Sequence, residues 1–252
     1  MNRYFLYLAY DGADYCGWQS QPNAPSVQRR VEEALSLLAR ESVAVTGAGR
    51  TDAGVHARCM VAHFDAPDTL LDSFPAERPL SRSFAARLNR LLPPDIAVFD
   101  VRSVPADAHA RFDATSRTYK YYLSSQQDPF SRTYTCLLPV DRLDRNAMNE
   151  AAAILLHCDD FTSFAKLHTD TRTNLCHVTR ADWDEQYTFT ITADRFLRNM
   201  VRAIVGTLID VGRRKLTPDD FRHIIQARQR SAAGTSAPAH ALFLHQITYP
   251  YL

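Results

Sequence analysis

The stretch SVAVTGAGRTDAGVHARCMVAHFDA, residues 42–66, decides between two architectures. It gathers three of the chain's eight glycines, Gly47, Gly49 and Gly54, into eight residues between two β-rich runs. Read as a phosphate loop, it would open a doubly wound parallel sheet. The residues exclude that reading. A dinucleotide fingerprint needs a third glycine where Asp52 stands, and a triphosphate loop needs a Gly-Lys-Ser/Thr that is absent. An acidic side chain at that point also repels a bound phosphate. What remains is two strands, SVAVTGAG and RCMVAHFDA, flanking a connection that carries Arg50, Thr51 and Asp52, with glycines that let the backbone turn sharply and admit a large substrate closely.

Working outward, RYFLYLAYDG (residues 3–12) predicts a strand running into an Asp-Gly turn. After a loop, Ser26 caps VQRRVEEALSLLAR, whose Val27, Val31, Ala34, Leu35 and Leu38 recur at helical spacing. Residues 67–83 form a proline-rich, charged excursion before the short helix SFAARLNRLL, stopped by Pro93 and Pro94. RTYKYYLSS and RTYTCLLPV are β-rich runs, and NAMNEAAAILLH is a helix. HVTRADWDEQYTFTITA predicts two strands hinged near Asp184 and Glu185. RFLRNMVRAIVGTLIDVG reads as one long helix that aligns Arg195, Arg198 and Arg202 in a basic stripe, and ALFLHQITY is a last strand. Strands and helices mix in each half without regular β-α-β alternation. An α+β fold with a mainly antiparallel sheet is therefore expected, in two halves, 1–105 and 106–252.

The 252 residues, 46% hydrophobic, suffice for a large core, and no apolar run is long enough to span a membrane, so a cytoplasmic protein is expected. Five cysteines without a CxxC pair read as reduced thiols, and nine histidines without HExxH spacing give no metal site. Net charge is only +1, yet residues 195–230 carry nine basic side chains against three acidic ones, a local basic surface.

Taken alone, Asp52 beside glycines reads as a turn or capping carboxylate. The chemical alternative is a nucleophile kept ionised by an arginine. Tyr119 alone reads as one tyrosine of a strand face, and an arginine stripe as a solvated helix surface.

GAGRTDAGVHA nevertheless resembles the signature of the TruA-type tRNA pseudouridine synthases, and four further stretches resemble the same family in the same order. They are YDGADYCGWQSQPNAPSVQ, HARFDATSRTYKYYL, FLRNMVRAIVGTL and APAHALFLHQITYP. The resemblance implies conversion of uridine to pseudouridine in the tRNA anticodon stem-loop, at tRNA positions 38, 39 and 40. It also implies a continuous sheet with the active cleft between its halves, and a homodimer. It makes Asp52 the nucleophile, Arg50 the residue that enters the stack and steadies the flipped nucleotide, Tyr119 the ring stacked on the target uracil, and Arg198 the cationic partner of Asp52. By the same resemblance His109, Arg111, Phe112, Lys166, Arg172 and Arg202 contact tRNA. The sequence departs from the family at Asp194, Arg195 and Ala241, where glycine is common, and in the 67–83 excursion.

The chemistry suits these residue types. Uracil leaves C1′ of its ribose, turns and rejoins through C5, a redox-neutral rearrangement that needs a carboxylate and neither metal nor cofactor. Flipping the base out of a stem costs a few kcal/mol, which calls for a wedge, a stacking platform and phosphate contacts. Two other classes share some of these features. A silent RNA-binding module would tolerate loss of Asp52, and a hydrolytic nucleosidase would release free uracil.

Overall fold

The computed structural model describes residues 1–67, 70, 80–166 and 173–251. Arg172 and most of the 67–83 excursion lie outside them. The chain divides into two compact units, residues 1–115 with 244–252, and residues 116–243. These bounds follow contacts rather than sequence order, so the C-terminal segment joins the first unit.

The first unit is built on β1 (Asn2–Tyr10). Phe5, Leu6 and Leu8 are fully enclosed on it, and its two edges are each paired with an antiparallel neighbour. These are β3 (His56–Ala66) and β4 (Ile96–Val104). Leu6 stands opposite both Ala62 and Val101. The order continues through β9 (Leu242–Thr248) next to β3, and β2 (Thr46–Gly47) also pairs with β3. Helix α1 (Val27–Ala39) starts where the Ser26 Oγ accepts the Arg29 N–H and buries Val27, Val31, Ala34 and Leu35, as the spacing predicts. Helix α2 (Leu80–Asn89) is tied to β4 by Asn89, whose amide pairs with both backbone groups of Val98 at 2.7 Å.

One expected strand is almost absent. Of SVAVTGAG only β2 is extended pairing, because side chains of α1 satisfy the preceding backbone instead. The Val43 N–H donates to Ser36 Oγ, the Val45 N–H to Glu32 Oε1, and the Val45 carbonyl accepts from Gln28 Nε2. Gln28 Oε1 meanwhile accepts the Ser20 N–H at 2.9 Å. One glutamine thus joins the two loops that flank Asp52.

In the second unit β5 (Ser116–Ser124), β8 (Thr188–Ala193) and β7 (Val178–Trp183) form an antiparallel sheet in that order, with the expected turn near Asp184. RTYTCLLPV contributes only β6 (Cys136–Leu137), which runs parallel to β5. Helix α3 (Arg145–Ile154) is capped by Asp144, and α5 (Pro218–Ala227) by a reciprocal Thr217–Asp220 pair with proline at its start. Both pack on α4 (Met200–Gly212), which buries eleven of its thirteen residues and so has no solvated face to carry a stripe. β4 and α5 go beyond the sequence expectation. The α+β class and the predominance of antiparallel pairing agree with it.

Helix α4 also corrects the basic stripe. It starts at Met200, because Asn199 adopts φ 64°, a left-handed conformation that a right-handed helix cannot contain. Arg195 and Arg198 therefore precede the helix that bears Arg202. The local excess of cations is further offset. Arg213 and Lys215 lie 3.8 and 3.5 Å from Asp210, Arg214 lies 3.3 Å from Asp144, Arg222 3.7 Å from Asp219 and Arg228 3.1 Å from Asp160. Among the described residues no helix is long and apolar enough to cross a membrane, and the five cysteines are unpaired.

Gln28→Ala removes the acceptor of the Ser20 N–H and the donor to the Val45 carbonyl, and is expected to lower stability by about 1–3 kcal/mol in urea denaturation.

Candidate active site

Asp52 stands in the turn between β2 and β3, half-buried, with its own carbonyl accepting the Val55 N–H at 3.1 Å. The turn is held from below by the loop that follows β1. The Trp18 N–H donates to the Thr51 carbonyl, the Gly54 N–H to the Tyr15 carbonyl, and the buried Tyr10 and Thr51 hydroxyls meet at 2.8 Å. His56 is buried beside it. Its Nδ1 lies 3.0 Å from the Gly12 N–H and 2.9 Å from an Asp11 carboxylate oxygen, so it accepts from the first when neutral and donates to the second when protonated.

The glycines make this lacing possible. A Cβ on Gly12 would sit 2.1 Å from the Val55 carbonyl oxygen, and one on Gly17 2.3 Å from that of Thr51. On Gly47 it would meet the Trp18 indole at 2.4 Å. Gly17 and Gly54 also take φ +99° and +76°, where a side chain is strained. Gly49 differs: a Cβ there meets nothing within 4 Å. Local packing does not account for this glycine.

Next to Asp52, Thr51 points inward and Arg50 outward. The exposed Arg50 guanidinium donates from Nε to Gln19 Oε1 at 2.8 Å. Sequence reading assigned no role to Tyr10, Trp18, Gln19 or His56. All four lie in stretches quoted for the family resemblance, but they meet groups far along the chain.

The same unit carries His109, Arg111 and Phe112 on a turn after β4. The His109 ring lies under Phe112 at 4.2 Å, and the Arg111 guanidinium carbon is 5.8 Å from the Phe112 centroid. Phe112 is 76% exposed, an unusual position for a phenylalanine on a turn so firmly held.

In the second unit Tyr119 lies on β5, opposite Ile191 of β8 and edge-on to Phe196 at 5.1 Å. Phe196 is in the segment before α4. Asn199 fastens that segment through its Nδ2, which donates to Ser236 Oγ at 2.7 Å. The Lys166 N–H donates to the Arg198 carbonyl at 3.1 Å, so two residues implied by the resemblance are neighbours. Arg202 Nε donates to the Ala237 carbonyl and Arg230 to Ala233, Gly234 and Ser236, so both brace the 233–237 loop. Asp194, where the family often has glycine, accepts the His177 and Arg195 N–H groups at 2.7 Å and so closes a turn. Among the described residues no group of three or more His, Cys, Asp or Glu side chains is arranged to hold a metal ion.

Residues 151–250 match the family model described as tRNA pseudouridine synthase. Over its length the chain is 58% identical to tRNA pseudouridine synthase A of Porphyromonas gingivalis, covering 99% of this chain and 98% of that protein. It is 55% identical to the protein of that name from Parabacteroides distasonis, at 99% and 97% coverage, and 39% identical to that of Bacillus pumilus, at 96% and 97%. The chain is thus an isomerase of the pseudouridine synthase class. It belongs to the tRNA pseudouridine synthase family, and its relatives within it carry the name tRNA pseudouridine synthase A.

The glycine pattern separates two kinds of position by measurement. Gly17→Ala and Gly47→Ala are expected to destabilise by roughly 2 kcal/mol or more, from backbone strain and overpacking. Gly49→Ala stays within about 0.5 kcal/mol of the parent in the same denaturation assay.

Proposed function

We propose that this chain converts uridine to pseudouridine in the anticodon stem-loop of tRNA, with Asp52 as nucleophile. The observation that carries the reading is the Asp52 turn: a half-buried carboxylate on a backbone fixed by two loops, in a chain of this family. Such fixation holds the nucleophile in place without a reorganisation cost during reaction.

In this reading the N1–C1′ bond of the target nucleotide breaks with Asp52 assistance, the uracil turns, and a C5–C1′ bond forms. The C5 proton is lost and N1 gains one, so substrate and product have the same composition. Tyr119 stacks on the uracil, and Arg198 pairs with the Asp52 carboxylate. Arg50 fills the place the flipped nucleotide leaves in the stem, from the exposed position in which Gln19 holds it. Gly49 leaves room for the nucleotide to approach the turn. Arg111 and Phe112, on the segment that starts at His109, and Lys166, Arg172 and Arg202 contact the rest of the tRNA. The protein acts in the cytoplasm as a homodimer that offers one cleft per anticodon arm.

Unmodified tRNA transcript, incubated with the protein without metal or nucleotide and mapped by carbodiimide labelling, is expected to gain pseudouridine with no free uracil. Asp52→Asn is expected to reduce this at least about a thousandfold with tRNA affinity retained; full activity in that variant would exclude the mechanism, and free uracil would indicate a nucleosidase.

For Arg50→Ala the expected result is a tRNA dissociation constant within about threefold of the parent and turnover lowered about a hundredfold. Weaker binding with unchanged turnover would make Arg50 an ordinary phosphate contact.

A further inference from the structure

We propose that His63 and His109 are positioning residues: a pair of neutral acceptors that hold the 109–112 turn in the shape in which it meets tRNA. This rests on the reading that Arg111 and Phe112 contact the RNA.

Three consecutive amides of the turn end on two imidazoles. The Ala110 N–H donates to His63 Nδ1 at 3.1 Å, and the Arg111 and Phe112 N–H groups donate to His109 Nδ1 at 3.1 and 3.3 Å. Only an unprotonated nitrogen accepts such bonds. The two rings meet edge to face at 4.6 Å, where a second positive charge is unfavourable. The rest of the turn is also drawn inward. Arg3 donates to the Ala108 carbonyl, the Tyr249 hydroxyl to the Ala110 carbonyl at 2.6 Å, and the Tyr251 hydroxyl to Asp113, whose carboxylate also takes the His109 N–H. The side chains of Arg111 and Phe112 face outward from this frame, the guanidinium beside the ring.

An exposed ring with an adjacent guanidinium suits a nucleobase and its phosphate, and fixing it in advance reduces the ordering cost of binding. His63 stands seven residues along β3 from His56, about 23 Å at strand rise. The turn therefore meets a different part of the tRNA from the nucleotide at Asp52. Its disturbance raises KM and leaves kcat unaltered.

Charge neighbours set the pH window. His63 faces Arg3 and Asp65 from β1 and β3, and His109 and Asp113 from the turn; burial, with His109 and Arg3 acting in the same sense, holds its pKa down at about 4. His109 faces Asp113, Arg3 and Arg111 and is also held below its ordinary value, chiefly by burial. Both are depressed in the folded chain, so the stability they lend is complete above about pH 6.5 and is lost as pH falls below it, for His63 down to about 4. Phosphate electrostatics alone would tighten tRNA binding over that interval, because histidines gain charge. Positioning by neutral acceptors predicts the reverse.

The test measures KM and kcat of the full chain on a tRNA transcript. His63→Phe, which keeps a ring and removes the acceptor, is expected to raise KM at pH 7.5 at least about fivefold with kcat within about twofold. His63→Asn, which returns an acceptor near Nδ1, is expected to restore KM to within about twofold of the parent. The parent's KM is expected to rise as pH is lowered from about 5.5 towards about 4, where His63 gains its proton, and His63→Asn/His109→Asn to abolish that rise. A parental KM in His63→Phe overturns the proposal, as does a parental KM that falls on acidification. Should circular dichroism show His63→Phe unfolded, the pH comparison with the double asparagine variant decides. Phe112→Ala separates the two layers. A raised KM there with a parental KM in His63→Phe rejects the positioning role alone. An unchanged KM in Phe112→Ala rejects the tRNA contact itself. A changed sedimentation coefficient without a KM effect makes the turn a protein contact and also overturns the proposal.

Discussion

Residues 12–17 and 51–55 lie against each other with carbonyl oxygens where a Cβ would have to be. The placement of Asp52 depends on this approach. Amide donors from Trp18 and Gly54 cross between the segments, the Tyr10 and Thr51 hydroxyls meet beneath them, and Gln28 on α1 ties both flanks. Each of these bonds is modest in net free energy. Together they leave the turn few alternative conformations, which suits the nucleophilic role proposed for Asp52.

The second unit uses a different device. Asn199 in the left-handed region stops α4 one residue before Met200 and frees residues 195–198 from the helix. Phe196 then reaches the Tyr119 ring edge-on, and the Arg198 carbonyl receives the Lys166 amide. A continuous helix over the same residues would have presented the arginines as a stripe on one face. The interruption replaces that stripe with a loop that ends in a turn, where Leu197 is buried and Arg198 exposed.

Much of the fold was legible in advance because burial imposes periodicity. The 3.6-residue pattern of 27–39 is decided by which face meets the core, whereas the aromatic-rich β1 buries Tyr4, Phe5 and Leu6 in succession, so both its faces are covered. The expected strand over 42–49 failed for a reason that local pattern does not contain. Val43 and Val45 are buried in alternation as in a strand, but their amides find Ser36 and Glu32 of α1 in place of a neighbouring strand. The family resemblance implies roles for Asp52, Arg50, Tyr119 and Arg198, but none for Gln19, His56 or His63, whose partners are distant in sequence.

The sequence by itself determined the class of fold, the motif around Asp52 and the exclusion of a phosphate loop, since these follow from residue type and spacing within short stretches. Only the tertiary structure decided why each glycine is there. Gly12, Gly17 and Gly47 face atoms from other parts of the chain, whereas Gly49 faces open space. It also decided where α4 begins and how many cations of residues 195–230 are matched by carboxylates, two of which, Asp144 and Asp160, come from outside that segment. Hydrogen bonds and ion pairs between distant residues require the chain to be folded before the partners exist, and no reading of neighbours along the sequence contains them.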